Sequence, residues 1–221
     1  YMNSIIYVAL GTFTSVALSM LLAYPLSRKE FYGRKFVTKF IMVTMLFSGG
    51  LIPLYFVVKN IGMYNTRWAI VLPNAVNVWN VIIARTFLQE TITNELYDAA
   101  QIDGCSDLRF FFEIVIPLSG AIIAVLALFY AVVLWNSYFD ALVFLQDKKL
   151  YPLQIVLRNI LIVNRTDPSM LSDVAAAART QGLAETIKYA LIVVASVPLL
   201  VLYPFVQKYF VKGVMIGSVK G

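Results

Sequence analysis

The sequence has no histidine and only one cysteine, Cys105. A single thiol cannot form a disulfide within the chain, and the usual protein ligands of a zinc or haem site are missing. Charge is also scarce, because charged residues make up 14% of the 221 residues, whereas a soluble domain averages about a quarter. The sequence therefore predicts no metal site or cofactor in this chain and argues against a soluble fold.

Apolar residues dominate, at 60% of the chain, and the mean hydropathy is +0.78. Roughly 18 or more apolar residues are needed for a helix to cross a hydrocarbon core of about 30 Å. No linker or charge block divides residues 1–221, so we predict a single all-α integral membrane domain. The predicted spans are five: Ile5–Leu26, Phe40–Val58, Ala69–Leu88, Leu118–Leu145 and Tyr189–Val206.

Basic residues concentrate in one short loop, at Arg28, Lys29, Arg34, Lys35 and Lys39. The positive-inside rule places such a loop in the cytoplasm, so the net charge of +6 is not interpreted as a nucleic-acid footprint. Tyr1 is then expected outside, and the loop of residues 93–117 inside. Five spans put the two chain ends on opposite sides of the membrane, so we expect a further helix before Tyr1.

Amide side chains interrupt the third predicted span at Asn74, Asn77 and Asn80. Their spacing of three residues predicts that they drift along one side of a helix. Polar groups at that depth are costly unless they face protein or water. Two interpretations stay open: the amides hold helices together, or they line a hydrophilic path for a substrate.

The fourth predicted span carries Trp135, Asn136, Tyr138 and Asp140 near its outer end. Asn136 and Asp140 are four residues apart, which predicts a shared helical face. Aromatic rings beside amide and carboxylate groups suit sugar recognition, since ring faces pack on C–H surfaces and polar groups meet hydroxyls. An interfacial aromatic belt is the alternative interpretation.

Residues 93–117 form the one long polar interruption of the chain. Thr93 or Asn94 is expected to cap a first helix, and Gly104 to end it in a left-handed conformation. Ser106 is expected to cap a second helix, and Pro117 closes the loop. The first helix is predicted to present a shallow face, made of Leu96, Ala99, Ala100 and Asp103. The second helix is predicted to present a bulky apolar face, made of Leu108, Phe111, Phe112 and Val115.

Residues 93–117 resemble the cytoplasmic coupling loop of binding-protein-dependent ABC importers, in which Glu-Ala-Ala, a Gly and Ile-x-Leu-Pro recur at set spacing. This segment is called the coupling loop below. Here the pattern is Asp98-Ala99-Ala100, Gly104 and Ile114-Val115-Ile116-Pro117. Asp98 stands where the family has Glu, and Ile116 stands where it has Leu. The first change keeps a carboxylate and the second keeps an aliphatic side chain. The motifs Trp135-Asn136-Ser137 and Ala23–Arg28 are similar to the maltose-permease-like carbohydrate branch. The segments Ser48–Pro53 and Asp147–Leu153 resemble the polysaccharide and oligosaccharide subgroup.

The resemblance implies a permease subunit in a bacterial inner membrane, normally with six spans. Its expected partners are a second homologous permease, two cytoplasmic ATP-binding subunits and an external sugar-binding protein. The chain has no Gly-rich phosphate loop, so ATP and Mg²⁺ are expected on the partner subunits and the chain itself is not an enzyme. The resemblance assigns coupling to Asp98, Ala99, Ala100, Asp103, Gly104 and Pro117.

The cargo expected from the resemblance is an oligosaccharide or polysaccharide, including acidic ones such as alginate. An importer permease for a non-sugar solute is the alternative, since the coupling loop contacts the ATPase and not the cargo. A membrane enzyme is disfavoured because Asp140 is the only acid within a predicted span, without a second carboxylate to pair with. The tail Gly217–Gly221 is expected at the ATPase interface.

Overall fold

A computed structural model describes residues 1–163, 186–198, 200 and 201. Within these residues all regular structure is helical, which confirms the all-α prediction. A π-helical turn at Phe111–Val115 and a 3-10 turn at Lys148–Leu150 join the α-helices. The helices are α1 Met2–Ser27, α2 Arg34–Leu46, α3 Leu51–Asn60, α4 Trp68–Val71, α5 Val78–Thr91, α6 Asn94–Ile102, α7 Asp107–Phe110, α8 Ile116–Leu118, α9 Gly120–Trp135, α10 Tyr138–Phe144, α11 Leu153–Val163 and α12 Thr186–Pro198.

Helix α1 is the continuous helix that the first predicted span requires, with 26 residues and an apolar composition. Its buried positions include small residues such as Ser15, Ser19 and Ala23, which allow close helix approach. At Gly11 an added Cβ would lie only 2.5 Å from Leu134 Cδ1 on α9. The most extensive contacts between helices are those of α1 with α9 and α5, so α1 is the central packing helix.

The second predicted span, Phe40–Val58, is not one helix. Helices α2 and α3 meet at 116°, and Gly50 at the start of α3 has φ +82°, a conformation that favours glycine. None of the residues of α2 is buried. One side of α2 still packs on the core through the partly buried Val37 and Ile41. Its exposed apolar side chains, such as Phe36 and Leu46, are typical of a surface that contacts lipid or another protein.

The prediction of a continuous helix over Ala69–Leu88 is wrong. Helix α4 ends at Val71 and α5 begins only at Val78. Pro73 explains the break, because proline supplies no backbone donor and its ring clashes with a preceding carbonyl.

The fourth predicted span, Leu118–Leu145, is also broken, between α9 and α10. The side chains of Asn136 and Ser137 donate to the carbonyls of Val132 and Leu134, at 2.8 and 2.7 Å. Such local bonds compete with helix continuation. At its other end, α9 is bent by 79° from the helical segment Asp107–Leu118.

By length and composition, the described residues contain one helix able to cross a membrane, or up to three if each bent pair is one span. Helix α12 covers the fifth predicted span, Tyr189–Val206, as far as Pro198. Residues 199 and 202–206 of that span lie outside the described residues, as does the tail 217–221. The largest buried cluster joins the end of α1 to α5, α9 and the coupling loop, with Met20, Leu26, Leu88, Phe110 and Leu126 among its members.

Candidate functional site

The first helix of the coupling loop, α6, begins after Thr93, which occupies the N-cap position without making a side-chain cap hydrogen bond. Glu95 lies in the first turn. A hydrogen bond to the backbone and another from the Thr93 side chain lower the pKa of the Glu95 carboxyl below its ordinary value of 4.5. The carboxylate therefore accepts from one of the backbone N–H groups that every helix leaves free at its N-terminus, and the bond favours the charged form.

Gly104 ends α6 as predicted, with φ +75°. The Gly104 N–H donates to the Gln101 carbonyl at 3.0 Å, and the Cys105 N–H donates to the Ala100 carbonyl at 2.9 Å. This pair of bonds is the Schellman motif. No atom lies within 4 Å of an added Cβ at Gly104, so the backbone conformation, and not a lack of space, requires glycine here.

The second helix, α7, starts at the predicted cap. The Ser106 Oγ accepts a hydrogen bond from the Arg109 N–H at 3.4 Å. The Tyr97 hydroxyl donates to Asp107 Oδ1 at 2.7 Å and so ties α6 to α7. This bond raises the pKa of Tyr97 above its usual value, because the carboxylate opposes loss of the phenol proton.

The residues to which coupling was assigned are mostly on the surface. The exposed ones are Asp98, Ala99, Asp103, Gly104 and Pro117. Ala100 is buried in the main core cluster, against which Leu96 also packs. The predicted shallow face is therefore divided: Leu96 and Ala100 hold α6 on the bundle, and Ala99 and Asp103 remain free for a partner.

The prediction of a single bulky face on the second helix is wrong. Helix α7 passes into the π-helical turn, whose i→i+5 bonding changes the register of the side chains. Phe111 and Val115 are buried, whereas Leu108 and Phe112 stay exposed. Phe110, which the spacing argument missed, is fully buried.

The exposed apolar side chains of the coupling loop include Ile102 and Leu108, which lie on either side of Gly104 in the sequence. They are 86% and 72% exposed. Apolar side chains this exposed on a defined loop are typical of a surface that contacts another protein.

Three of the predicted substrate residues, Asn74, Asn77 and Asp140, take part in two neighbouring sets of hydrogen bonds. The five residues of these sets are here called the polar cluster: Ser19, Asn74, Asn77, Tyr130 and Asp140. Asn74 Nδ2 donates to Asp140 Oδ2 at 3.1 Å. The Asn77 backbone N–H donates to the Tyr130 hydroxyl at 3.1 Å, and that hydroxyl is 2.7 Å from Ser19 Oγ. Sequence reasoning missed Tyr130 and Ser19, because a lone hydroxyl in an apolar helix carries no spacing signal.

The three asparagines do not follow one helix side as predicted. Asn74 and Asn77 lie in the break between α4 and α5, and only Asn80 is within α5. Asn77 caps α5, since its Oδ1 accepts from the Asn80 N–H at 3.2 Å. Asn80 is buried and Asn74 is exposed, so these amides have different surroundings.

The four residues at the outer end of α9 are also separated. Trp135 is buried, and its Nε1–H donates to the Ala195 carbonyl of α12 at 3.1 Å. Asn136 and Asp140 do not share a helical face, because the break between α9 and α10 lies between them. Tyr138 lines a groove of about 400 Å³ formed with α11 and α12.

Comparison with known proteins adds two findings. Residues 3–216 match the family described as "Binding-protein-dependent transport system inner membrane component". Among solved structures, the chain resembles one from the "Crystal structure of a bacterial ABC transporter involved in the import of the acidic polysaccharide alginate". The TM-score is 0.81 at 31% identity, over 95% of this chain and 74% of that one.

Two curated relatives from Bacillus subtilis (strain 168) span nearly all of this chain. The polygalacturonan/rhamnogalacturonan transport system permease protein YtcP is 45% identical over 218 residues, 99% of this chain and 75% of YtcP. The melibiose/raffinose/stachyose import permease protein MelC is 32% identical over 225 residues, 100% of this chain and 75% of MelC.

Proposed function

Because this chain belongs to the family of inner membrane components of binding-protein-dependent transport systems, we propose that it is the permease subunit of an ABC importer for oligosaccharides or polysaccharides. The names of its relatives support this cargo class, since one is a polygalacturonan/rhamnogalacturonan permease and another a melibiose/raffinose/stachyose permease. The resemblance to the alginate importer at 31% identity favours acidic saccharides.

The structural observation that carries the mechanism is the coupling loop. Its two helices meet at a glycine in a left-handed conformation, and they expose Asp98, Ala99 and Asp103. Small and acidic side chains on a rigid turn allow a partner to approach the backbone closely. We assign this surface, with Gly104 and Pro117, to contact with a cytoplasmic ATP-binding subunit.

In this mechanism the ATP-binding subunits hold ATP and Mg²⁺ and the permease holds none. Closure of the two ATP-binding subunits moves the coupling loops, and the bundle alternates between inward-facing and outward-facing states. Cargo delivered by an external binding protein shifts that balance only as far as it binds one state better. A second homologous permease completes the pathway, and the chain spans the inner membrane.

The decisive experiment reconstitutes the complex in proteoliposomes and measures uptake of labelled oligogalacturonates, alginate oligomers and neutral raffinose. We expect uptake of a saccharide that depends on ATP and on the binding protein. A complex with hydrolysis-deficient ATP-binding subunits is the control. ATP-dependent uptake of a non-sugar solute, with every saccharide excluded, would overturn the cargo assignment and support the alternative importer.

Contact with the ATP-binding subunit is tested at Cys105, the one cysteine of the chain. Its side chain is partly exposed beside Gly104, so a bismaleimide can join it to cysteines placed on the partner's surface. We expect capture of the ATP-binding subunit in native membranes. Labelling of Cys105 only by reagents confined to the external side would contradict the assignment.

A further inference from the structure

Arg28, directly after the last residue of α1, is a charged side chain that the fold buries. Only 8% of its side chain is exposed, although arginine is rarely buried without a partner. Neighbouring Lys29 is exposed, so the burial belongs to Arg28 and not to the basic loop as a whole.

Arg28 has two partners, the ring of Tyr97 in α6 and the carboxylate of Glu30. The guanidinium carbon lies 4.0 Å from the ring centroid. Glu30 Oε2 is 3.4 Å from Nε. Within the described part of the chain, neither Nε nor Nη2 has a hydrogen-bond partner. The buried cation is therefore held by the ion pair with Glu30 and by the ring face of Tyr97, to which it is attracted electrostatically.

Tyr97 in turn holds the coupling loop together. Its hydroxyl donates to Asp107 of α7, and its ring packs edge to face on Phe110 at 5.2 Å between centroids. From the side of α1, the ring of Tyr24 packs on Phe111 at 5.2 Å. Arg28 consequently contacts the residue at which both helices of the loop meet.

The end of α1 is also bound to α5. Arg85 Nε donates to the Leu26 carbonyl at 3.0 Å, and Gln89 Nε2 donates to the Ser27 carbonyl at 3.5 Å. These bonds satisfy two of the carbonyls that a helix leaves free at its C-terminus. A displacement of the end of α1 is therefore transmitted to α5 as well.

We propose that Arg28 and Tyr97 form a joint that transmits movement of the coupling loop to α1 and α5, which makes Arg28 a positioning residue for coupling. This inference rests on the proposed function, because the movement in question is driven by the ATP-binding subunits. A ring face imposes looser angular demands than a hydrogen bond. The contact can persist while α6 changes its angle to α1.

The test compares Arg28→Met and Tyr97→Leu, which remove the contact, with Arg28→Lys and Tyr97→Phe, which keep a cation and a ring. Lys29→Met is the matched control for loss of charge. ATP hydrolysis and saccharide uptake are measured on equal amounts of assembled complex. We expect uptake per ATP to fall about tenfold in the first pair, with milder losses in the second pair and none in Lys29→Met.

A double variant, Arg28→Met with Tyr97→Leu, separates a joint from two independent roles. If the residues act through one contact, the double variant loses no more uptake per ATP than the worse single variant. Fully multiplied losses would overturn the joint. Uptake and hydrolysis that fall in equal proportion, or no loss in either single variant, would also overturn it.

A second measurement needs no transport. The rate at which a maleimide labels Cys105 in membranes reports how firmly the coupling loop is held. We expect labelling to be several-fold faster in Arg28→Met and Tyr97→Leu than in wild type and Lys29→Met. If the two variants are labelled faster but the wild type takes up no saccharide, the proposed cargo is overturned and the joint stands. If the wild type takes up saccharide normally but the variants are labelled no faster than it, the joint alone is overturned.

Discussion

The coupling loop and the polar cluster are both interruptions of apolar helix, but different interactions hold them. In the coupling loop the turns are closed by bonds between near neighbours, such as Cys105 N–H to the Ala100 carbonyl. In the polar cluster the bonds join distant parts of the chain, such as Tyr130 with Ser19 and Asn74 with Asp140. The first region is a rigid turn defined by local sequence, and the second exists only when four helical segments are assembled.

The largest expected effect is at Gly104. Gly104→Val places a β-branched residue at φ +75°, where even an ordinary side chain costs roughly 1–2 kcal/mol. We expect uptake to fall more than tenfold while ATP hydrolysis continues, because Gly104 is exposed and is not part of the main core cluster. The measurement is uptake and hydrolysis on the same preparation.

Two controls sharpen the Gly104 result. Gly104→Asn should retain more uptake than the valine variant, because asparagine tolerates the left-handed region. Gly120→Ala should be close to wild type, since nothing lies within 4 Å of its added Cβ. Wild-type uptake in Gly104→Val would contradict the role of the turn in coupling.

The polar cluster is tested next, at Tyr130. Tyr130→Phe removes the hydroxyl that is bonded to Ser19 and to the Asn77 backbone. A partner left unsatisfied in a buried site costs about 1–3 kcal/mol. We expect a lower thermal unfolding midpoint of the purified complex. Tyr138→Phe is the matched control, because the Tyr138 side chain is exposed. Equal unfolding midpoints for the two variants would show that the hydrogen bonds of Tyr130 contribute nothing to the stability of the complex.

A smaller effect is expected for Asp140→Asn. The substitution keeps a hydrogen-bonding side chain opposite Asn74 but removes a negative charge. If the polar cluster faces an acidic cargo, the ratio of oligogalacturonate to raffinose uptake should rise, by about two- to fivefold, because a like-charge repulsion is lost. An unchanged ratio would limit Asn74 and Asp140 to holding the helix breaks together.

The smallest expected effect is the pH dependence of Glu95. Its folded-state pKa is depressed, so its stabilising contribution is present above the unfolded pKa and is lost as pH falls through the folded value. Wild type should therefore unfold at a slightly higher temperature than Glu95→Gln at neutral pH. The difference should begin to shrink as the pH falls below the ordinary pKa of 4.5 and should vanish only below the lower folded-state pKa. A difference independent of pH would contradict this explanation.

Sequence reasoning succeeded where the signal is local. The cap at Ser106 and the left-handed Gly104 are confirmed, because each depends on a few neighbouring residues. It failed where a tertiary contact or a helix irregularity intervenes. The asparagines were placed on one helix side, yet Pro73 and the cap at Asn77 break that helix. The apolar face of the second loop helix was assigned by a spacing that the π-helical turn does not keep, so Phe110 was overlooked.

Residue types and their order determined that this chain is helical and membrane-inserted, and that its coupling loop turns at Gly104, since backbone preferences and apolar length act over short stretches. Only the tertiary structure decided that Arg28 is buried under Tyr97 and that Tyr130 joins α1 to the start of α5. Those outcomes depend on which surfaces meet after the helices pack, and a side chain's partner across the bundle leaves no periodic mark in the sequence.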